Sequence, residues 1–293
     1  MVHSAFEAFV LRTSPRALGL LLSYSEIVDI INLSRTSSTL HGAYLWYKNI
    51  AWNPVAQFAK WFIDPTAFRK ILRHNNAMVS GSFALQFFDR GFYPESDLDI
   101  YLRVAGVRNI CNWLLSQKYR FVSRDLHYQP LQGKIASIAD AAVKNGTSPD
   151  QPIFGVLNFR RIIASIHGYI LLQRVQIIVV DIDPIEHILF DFHSTAVMNI
   201  ITADEAIAIF PRATFIDRLS YVSKTSTRPT SPHKDWKKKY IGRGFTLVDS
   251  TTSANKVQQL IRSTSRSRYV TDKYCWHVKF EGTCFLQSTL DIW

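Results

Sequence analysis

Cysteine is scarce in this chain: its 293 residues include only Cys111, Cys275 and Cys284. They form no Cys-x-x-Cys pair and lack the density of a secreted disulfide framework, which argues against a disulfide scaffold and a structural zinc site and fits a reducing compartment. Long hydrophobic runs are also missing. The apolar stretch at 17–22 is far too short to span a bilayer, and neither a basic n-region nor a small-residue cleavage site frames it as a signal peptide. These absences predict an intracellular protein, cytoplasmic or nuclear, with no membrane partner. Acidic residues are in deficit, 23 against 34 Lys plus Arg, leaving a formal charge of +11. Such an excess attracts polyanions, including nucleotides and nucleic acid, because neutralising phosphates releases counterions.

A hydrophobic content of 47% and an aromatic content of 13% suffice for one large core, or a core with a small satellite, and argue against wholesale disorder. Between 18 and 44 the apolar residues recur at helical spacing, with Ile27, Ile30, Ile31, Leu33 and Leu40 forming a cluster. Asn53-Pro54 and Asp64-Pro65 each place a capping side chain before a proline suited to the first helical position, so helices are expected to start near 54 and 65. The period then changes. The spacing predicts a strand at 77–80, a helix at 83–89, a turn at 91–94 and an alternating strand at 97–102. A helix near 106–117, a strand near 119–123 and a surface loop at 144–150 follow. Two β-rich runs, 154–166 and 169–180, flank His167-Gly168 as an antiparallel hairpin. Residues 225–231 read as a linker, 235–240 as a basic segment and 268–280 as a partly buried strand with Trp276 and Phe280 in the core. Cys275-x-His277 is not a convincing metal pair.

The chemistry concentrates in two short motifs. In Asp97-Leu98-Asp99 the carboxylates are two apart on a strand, so both leave one face and can share metal ions, while Leu98 and Ile100 enter the core. Phosphoryl transfer commonly uses Mg²⁺ ions held by such closely set carboxylates. Upstream, Ser80-Gly81-Ser82 lies between a strand and a helix, where glycine lets the backbone approach a phosphate and the first helical amides face it. Separately, each is also an ordinary turn or an ordinary exposed strand; together they are specific.

Hydrophobic residue, Gly81-Ser82, helix, then Asp97-Leu98-Asp99 on a strand resembles the signature of the polymerase-β-like nucleotidyltransferase superfamily over residues 77–102. The resemblance implies an α+β fold, in which a helical N-terminal segment precedes a nucleotidyltransferase-like mixed sheet flanked by helices and extending to about 180. It implies that Gly81 and Ser82 bind the nucleoside triphosphate and that Asp97 and Asp99 are catalytic and ligate Mg²⁺. It also implies an antiparallel strand bearing a third carboxylate. On the best candidate strand, 174–180, Gln176 stands where that acid is expected, and Asp181 or Asp183 at the strand end is the alternative.

The helical residues 21–37 resemble the second half of an F-box, although Ser14-Pro15-Arg16-Ala17 replaces the usual opening Leu-Pro-x-Glu. That resemblance implies a Skp-type ubiquitin-ligase linker as partner, docked through residues such as Ile30 and Leu33; the alternative is a plain helical subdomain packed on the core. With the strings at 192–199 and 235–240, the combination resembles proteins of mushroom-forming fungi.

The expected organisation is a helical F-box-like segment at 1–52, a nucleotidyltransferase-like domain at 53–222, and a basic segment at 223–293 that completes or packs on the core. Lys234, Lys237, Lys238, Lys239 and Arg243, interleaved with Trp236 and Tyr240, read as a nucleic-acid surface, as a funnel steering a triphosphate toward the acidic pair, or as a solvated face. His193 beside Phe190 and Phe192 reads as a hydrogen-bonded core histidine. Two functions follow: a Mg²⁺-NTP-binding nucleotidyltransferase acting on a hydroxyl, or a non-catalytic adaptor of a ubiquitin ligase built on a degenerate version of that fold.

Overall fold

The computed structural model describes residues 3–123, 129–145, 153–164, 170–223, 234–249 and 269–280. Four helices open the chain: α1 (Ala5–Arg12), α2 (Pro15–Tyr24), α3 (Ile27–Ser34) and α4 (Ser38–Ala51). Ser4, Ser14 and Ser37 cap three of them, each accepting a bond from an amide of the first turn, as orphan helix donors require. Then α5 (Pro54–Phe58) and α6 (Pro65–His74) start where the two proline signals placed them, capped by Asn53 and Asp64.

The first four helices are fastened to the rest through Arg90, whose left-handed backbone (φ 54°) ends the helix α7 (Gly81–Asp89). Its guanidinium donates to the Leu22 carbonyl (3.0 Å), the Ser25 carbonyl (2.8 Å) and the Tyr47 hydroxyl (2.8 Å). These bonds also satisfy carbonyls at the end of α2, which have no partner within their own helix. Ile30 is only 2% exposed and belongs to the interior, as the alternative of a helical subdomain packed on the core expects.

After α7 come β2 (Leu98–Leu102), α8 (Val107–Ser116), β3 (Arg120–Val122), α9 (Leu131–Asn145), β4 (Ile153–Ala164), β5 (Ile170–Val180) and α10 (Pro184–Asp191). The strand preceding α7 is β1 (Met78–Ser80); β6 (Asn199–Ile201), β7 (Glu205–Ala208), β8 (Leu219–Tyr221), α11 (Lys234–Ile241), β9 (Thr246–Val248) and β10 (Trp276–Lys279) complete the order. Eight strands form one sheet in the order β10-β7-β6-β1-β2-β5-β4-β3, and β8 pairs separately with β9. The sheet is mostly antiparallel, the exception being β2 with β5, which run parallel. The strand bearing Gln176 is thus parallel, not antiparallel, to the strand bearing the acidic pair. The loop expected at 144–150 begins two residues inside α9, while the His167-Gly168 turn and the 225–231 linker lie outside the described residues.

The two faces of the sheet differ sharply. Leu98, Ile100 and Leu102 on β2, Val175, Ile177 and Val179 on β5, and Leu157 and Phe159 on β4 are fully buried, as strand alternation against one packed layer requires. Helix α9 packs on this face, its Ile138 filling the space beside Gly155. The opposite face carries Asp99 and Tyr101 on β2, Arg174 and Gln176 on β5, and Asn158 and Arg160 on β4. At 276–279 the last strand extends the far edge, and Trp276 packs edge-on against Trp52 and at a tilt against Phe88, at 5.1 Å each.

Candidate active site

At Ser80 the chain leaves β1, and Gly81 takes φ +71° to open α7. Ser80 donates to the Asn199 carbonyl (2.6 Å), pinning the turn to β6. The register then aligns Ser80 with Asp99 across the β1–β2 pair and Asp99 with Gln176 across the β2–β5 pair. A methyl group at position 81 would lie 2.6 Å from Asp99 Oδ2. Glycine is therefore required twice, by its backbone conformation and by the carboxylate seated against it. Of the expected site residues, Gly81, Asp97 and Asp99 come together on this side of the sheet, and Ser82 follows in the first turn of α7.

Helix α11 and the turn after it complete the site. Ser82 Oγ lies 3.2 Å from the Tyr240 hydroxyl and accepts a bond from Arg243 Nη1 at 3.1 Å. Arg243 Nη2 donates to Ser96 Oγ at 3.3 Å, and the guanidinium stacks 4.0 Å from the Tyr93 ring. Tyr93 in turn donates to Asp89 (2.6 Å), Arg218 binds the other oxygen of Asp89 (2.7 Å), and Arg218 also donates to the Arg243 carbonyl (2.9 Å). Burial and the Asp89 charge hold the Tyr93 proton well above the ordinary tyrosine range. Arg243 is thus built in by a chain of charge-assisted bonds and is not a loose surface cation. Turn residue Tyr93 and the partners Asp89 and Arg218 carried no sequence signal for this role.

Burial, followed by the neighbouring charge of Asp97, pushes the Asp99 carboxyl up to about 7, with Lys239 opposing. Lys239 itself is lowered by lost hydration and by Arg243, against the pull of Asp99, Asp97 and Glu95. Asp97 is already engaged: Arg174 Nε donates to it at 2.6 Å, and Gln176 Nε2 at 3.3 Å. The same amide nitrogen reaches Asn158 Oδ1 at 3.3 Å.

No family model, curated protein or solved structure matches this chain. The family resemblance therefore rests on the sequence motif at 77–102 alone.

Among the described residues no third carboxylate joins the pair. Asp183 accepts the Ile185 amide as the cap of α10 (2.8 Å), and Asp181 lies five residues beyond Gln176, roughly 16 Å along an extended chain. Among the described residues no group of three or more His, Cys, Asp or Glu is arranged to hold a metal ion. Asp97 and Asp99 are the residues that would hold one Mg²⁺, an ion that keeps several waters and is commonly held by one or two carboxylates plus substrate phosphates. Among the described residues a two-metal arrangement lacks its third acid.

Two other expectations resolve into packing. His193 stacks on Trp236 at 4.0 Å with its Nδ1 3.0 Å from Ser194 Oγ, so it belongs to the seat of α11. His277 pairs with Glu205 at 3.0 Å, while the Cys275 thiol lies 3.5 Å from the Tyr269 carbonyl.

Proposed function

We propose that this chain is a nucleotidyltransferase-fold protein that binds Mg²⁺-NTP and transfers a nucleotidyl group to a hydroxyl acceptor. Gly81, Ser82 and the first amides of α7 take the triphosphate, with Arg243 and Lys239 supplying positive charge. Asp97 and Asp99 hold the metal, which when bound neutralises charge on the phosphates. In the transfer, the acceptor oxygen bonds to the α-phosphorus, the bond to pyrophosphate breaks, and one proton is released. The observation that carries this reading is the meeting of Gly81, Asp99 and the Arg243–Ser82 pair at one helix start, where oriented amides favour an anion. A thermal-unfolding series tests it: saturating Mg²⁺-NTP raises the Tm of the wild-type protein by preferential binding to the folded state. The absence of that shift, or its persistence in Asp97→Asn/Asp99→Asn, refutes the reading.

One observation favours a second reading, a non-catalytic adaptor: Arg174 and Gln176 occupy Asp97 as they would in a site that has lost its metal. In that case the exposed Leu20 and Tyr24 of α2, 59% and 83% exposed, present the docking surface for a Skp-type linker. Co-purification with that linker, abolished by Leu20→Asp/Tyr24→Asp, supports the adaptor; no co-purification rejects it.

A further inference from the structure

Strand register produces a row of arginines that no sequence motif announces. Arg120 on β3 pairs with Arg160 on β4, and Arg160 pairs with Arg174 on β5. Arg174 then reaches Asp97 at 2.6 Å. Directly opposed residues share a face, so Arg120, Arg160, Arg174 and Asp97 form one line across the sheet, at intervals of roughly 4.8 Å. It is the face opposite the packed core: Arg120 and Arg160 are exposed, and beside them the cross-strand pair Ile162 and Leu172 is 70% and 44% exposed. Among the described residues, Arg174 alone of the three arginines has an acidic partner.

Like charges directly opposite one another destabilise a sheet, so the row is costly in the free protein and is relieved by a polyanion laid across it. We propose that the row is a track for the sugar-phosphate backbone of a single-stranded polynucleotide, the acceptor, whose end lies at Asp97 and Asp99. Arg120 and Arg160 offer two cations to the phosphates of one strand, Arg174 being held by Asp97, and the exposed Ile162–Leu172 pair offers an apolar surface to unstacked bases. The choice of a polynucleotide over other polyanions rests on the transferase reading, which requires a hydroxyl where the row meets the acidic pair; a polynucleotide brings phosphates along the row and a terminal hydroxyl at its end. On this arrangement the triphosphate enters from the α7–α11 side and the acceptor from the β3 edge.

Fluorescence anisotropy with a short end-labelled single-stranded oligonucleotide, and no NTP, tests the track on the full chain. Arg120→Gln/Arg160→Gln is expected to weaken binding about tenfold and to flatten the salt dependence by roughly 1.4, two phosphate contacts at about 0.7 each. The control pair Arg12→Gln/Arg16→Gln, exposed on α1 and α2, removes the same charge and is expected to change affinity less than about twofold. Arg120→Lys/Arg160→Lys, which keeps the charge, is expected to retain most of the binding and shows that the site still folds. Equal losses in the glutamine pairs, no wild-type binding, tighter binding of the corresponding duplex, or displacement by polyglutamate as effective as by unlabelled oligonucleotide overturns the proposal. Calorimetry of Mg²⁺-NTP on the wild-type protein, set beside its oligonucleotide binding, separates the two claims. Oligonucleotide binding without NTP binding leaves the track standing and rejects the transferase; NTP binding without oligonucleotide binding does the reverse.

Discussion

Asp99 Oδ2 occupies the space in which a side chain at Gly81 would begin, 2.6 Å from an ideal Cβ there. With φ at +71°, Gly81→Ala meets both backbone strain and a carboxylate that must move. The expected cost is about 1–3 kcal/mol of stability, read by denaturant unfolding, with loss of Mg²⁺-NTP binding in the fraction that remains folded. Unaltered nucleotide affinity in a folded Gly81→Ala protein contradicts the role given to this turn.

Asp99 sets a pH dependence of definite sign. Its carboxyl titrates at about 7 in the folded protein against 3.8 for the ordinary side chain. The folded state therefore holds a proton that the unfolded state releases, and the stabilisation is full below about 3.8 and lost as pH rises to about 7. Urea unfolding across that range is expected to show a declining contribution that Asp99→Asn removes. Cation binding runs the other way, because it needs the carboxylate: Mg²⁺-NTP affinity rises from pH 6 to pH 8.

Gln176 is the position to restore. It is paired in register with Asp99, and its amide nitrogen donates to Asp97 at 3.3 Å. Gln176→Asp places a third carboxylate on the face of the acidic pair, with Asn158 free to turn its amide NH₂ toward the new acid. The expected result is tighter Mg²⁺ or Mn²⁺ binding by about tenfold and faster pyrophosphate release. Weaker metal binding in the folded variant argues that this face is not a metal site.

Arg243 is held by Ser82, Ser96 and the ring of Tyr93. Arg243→Ala is expected to reduce NTP affinity about tenfold or more, in line with losing a charge-assisted phosphate contact. Arg243→Lys restores it only in part, because an ammonium cannot make the forked contact or the ring stack. Affinities that do not separate wild type, lysine and alanine show that the guanidinium serves packing alone.

Local signals were legible where short-range chemistry decides the outcome. Asn53-Pro54 and Asp64-Pro65 marked helix starts, the β1–α7–β2 unit followed its period change, and the long β4–β5 pair followed its β-rich composition. Asp183-Pro184 carries the same signal for α10, with Asp183 as its cap. Helix α9, rich in alanine and with few large apolar residues, gives a weak periodic pattern. The site was half legible for a different reason. Gly81, Ser82, Asp97 and Asp99 lie close together in sequence, but Tyr240 reaches Ser82 across 158 residues and Arg174 reaches Asp97 across 77. Such pairings, like the parallel course of β5 beside β2, are set by tertiary packing that no local pattern encodes.

Calorimetric titration of each common NTP into the purified protein at pH 8, with Mg²⁺ and again with the cation chelated, tests the central claim most directly when repeated on Asp97→Asn/Asp99→Asn with folding verified by circular dichroism. The account predicts saturable binding by the wild type that requires both the cation and the acidic pair. Binding that survives chelation or the double substitution, or no binding by the wild type, contradicts it.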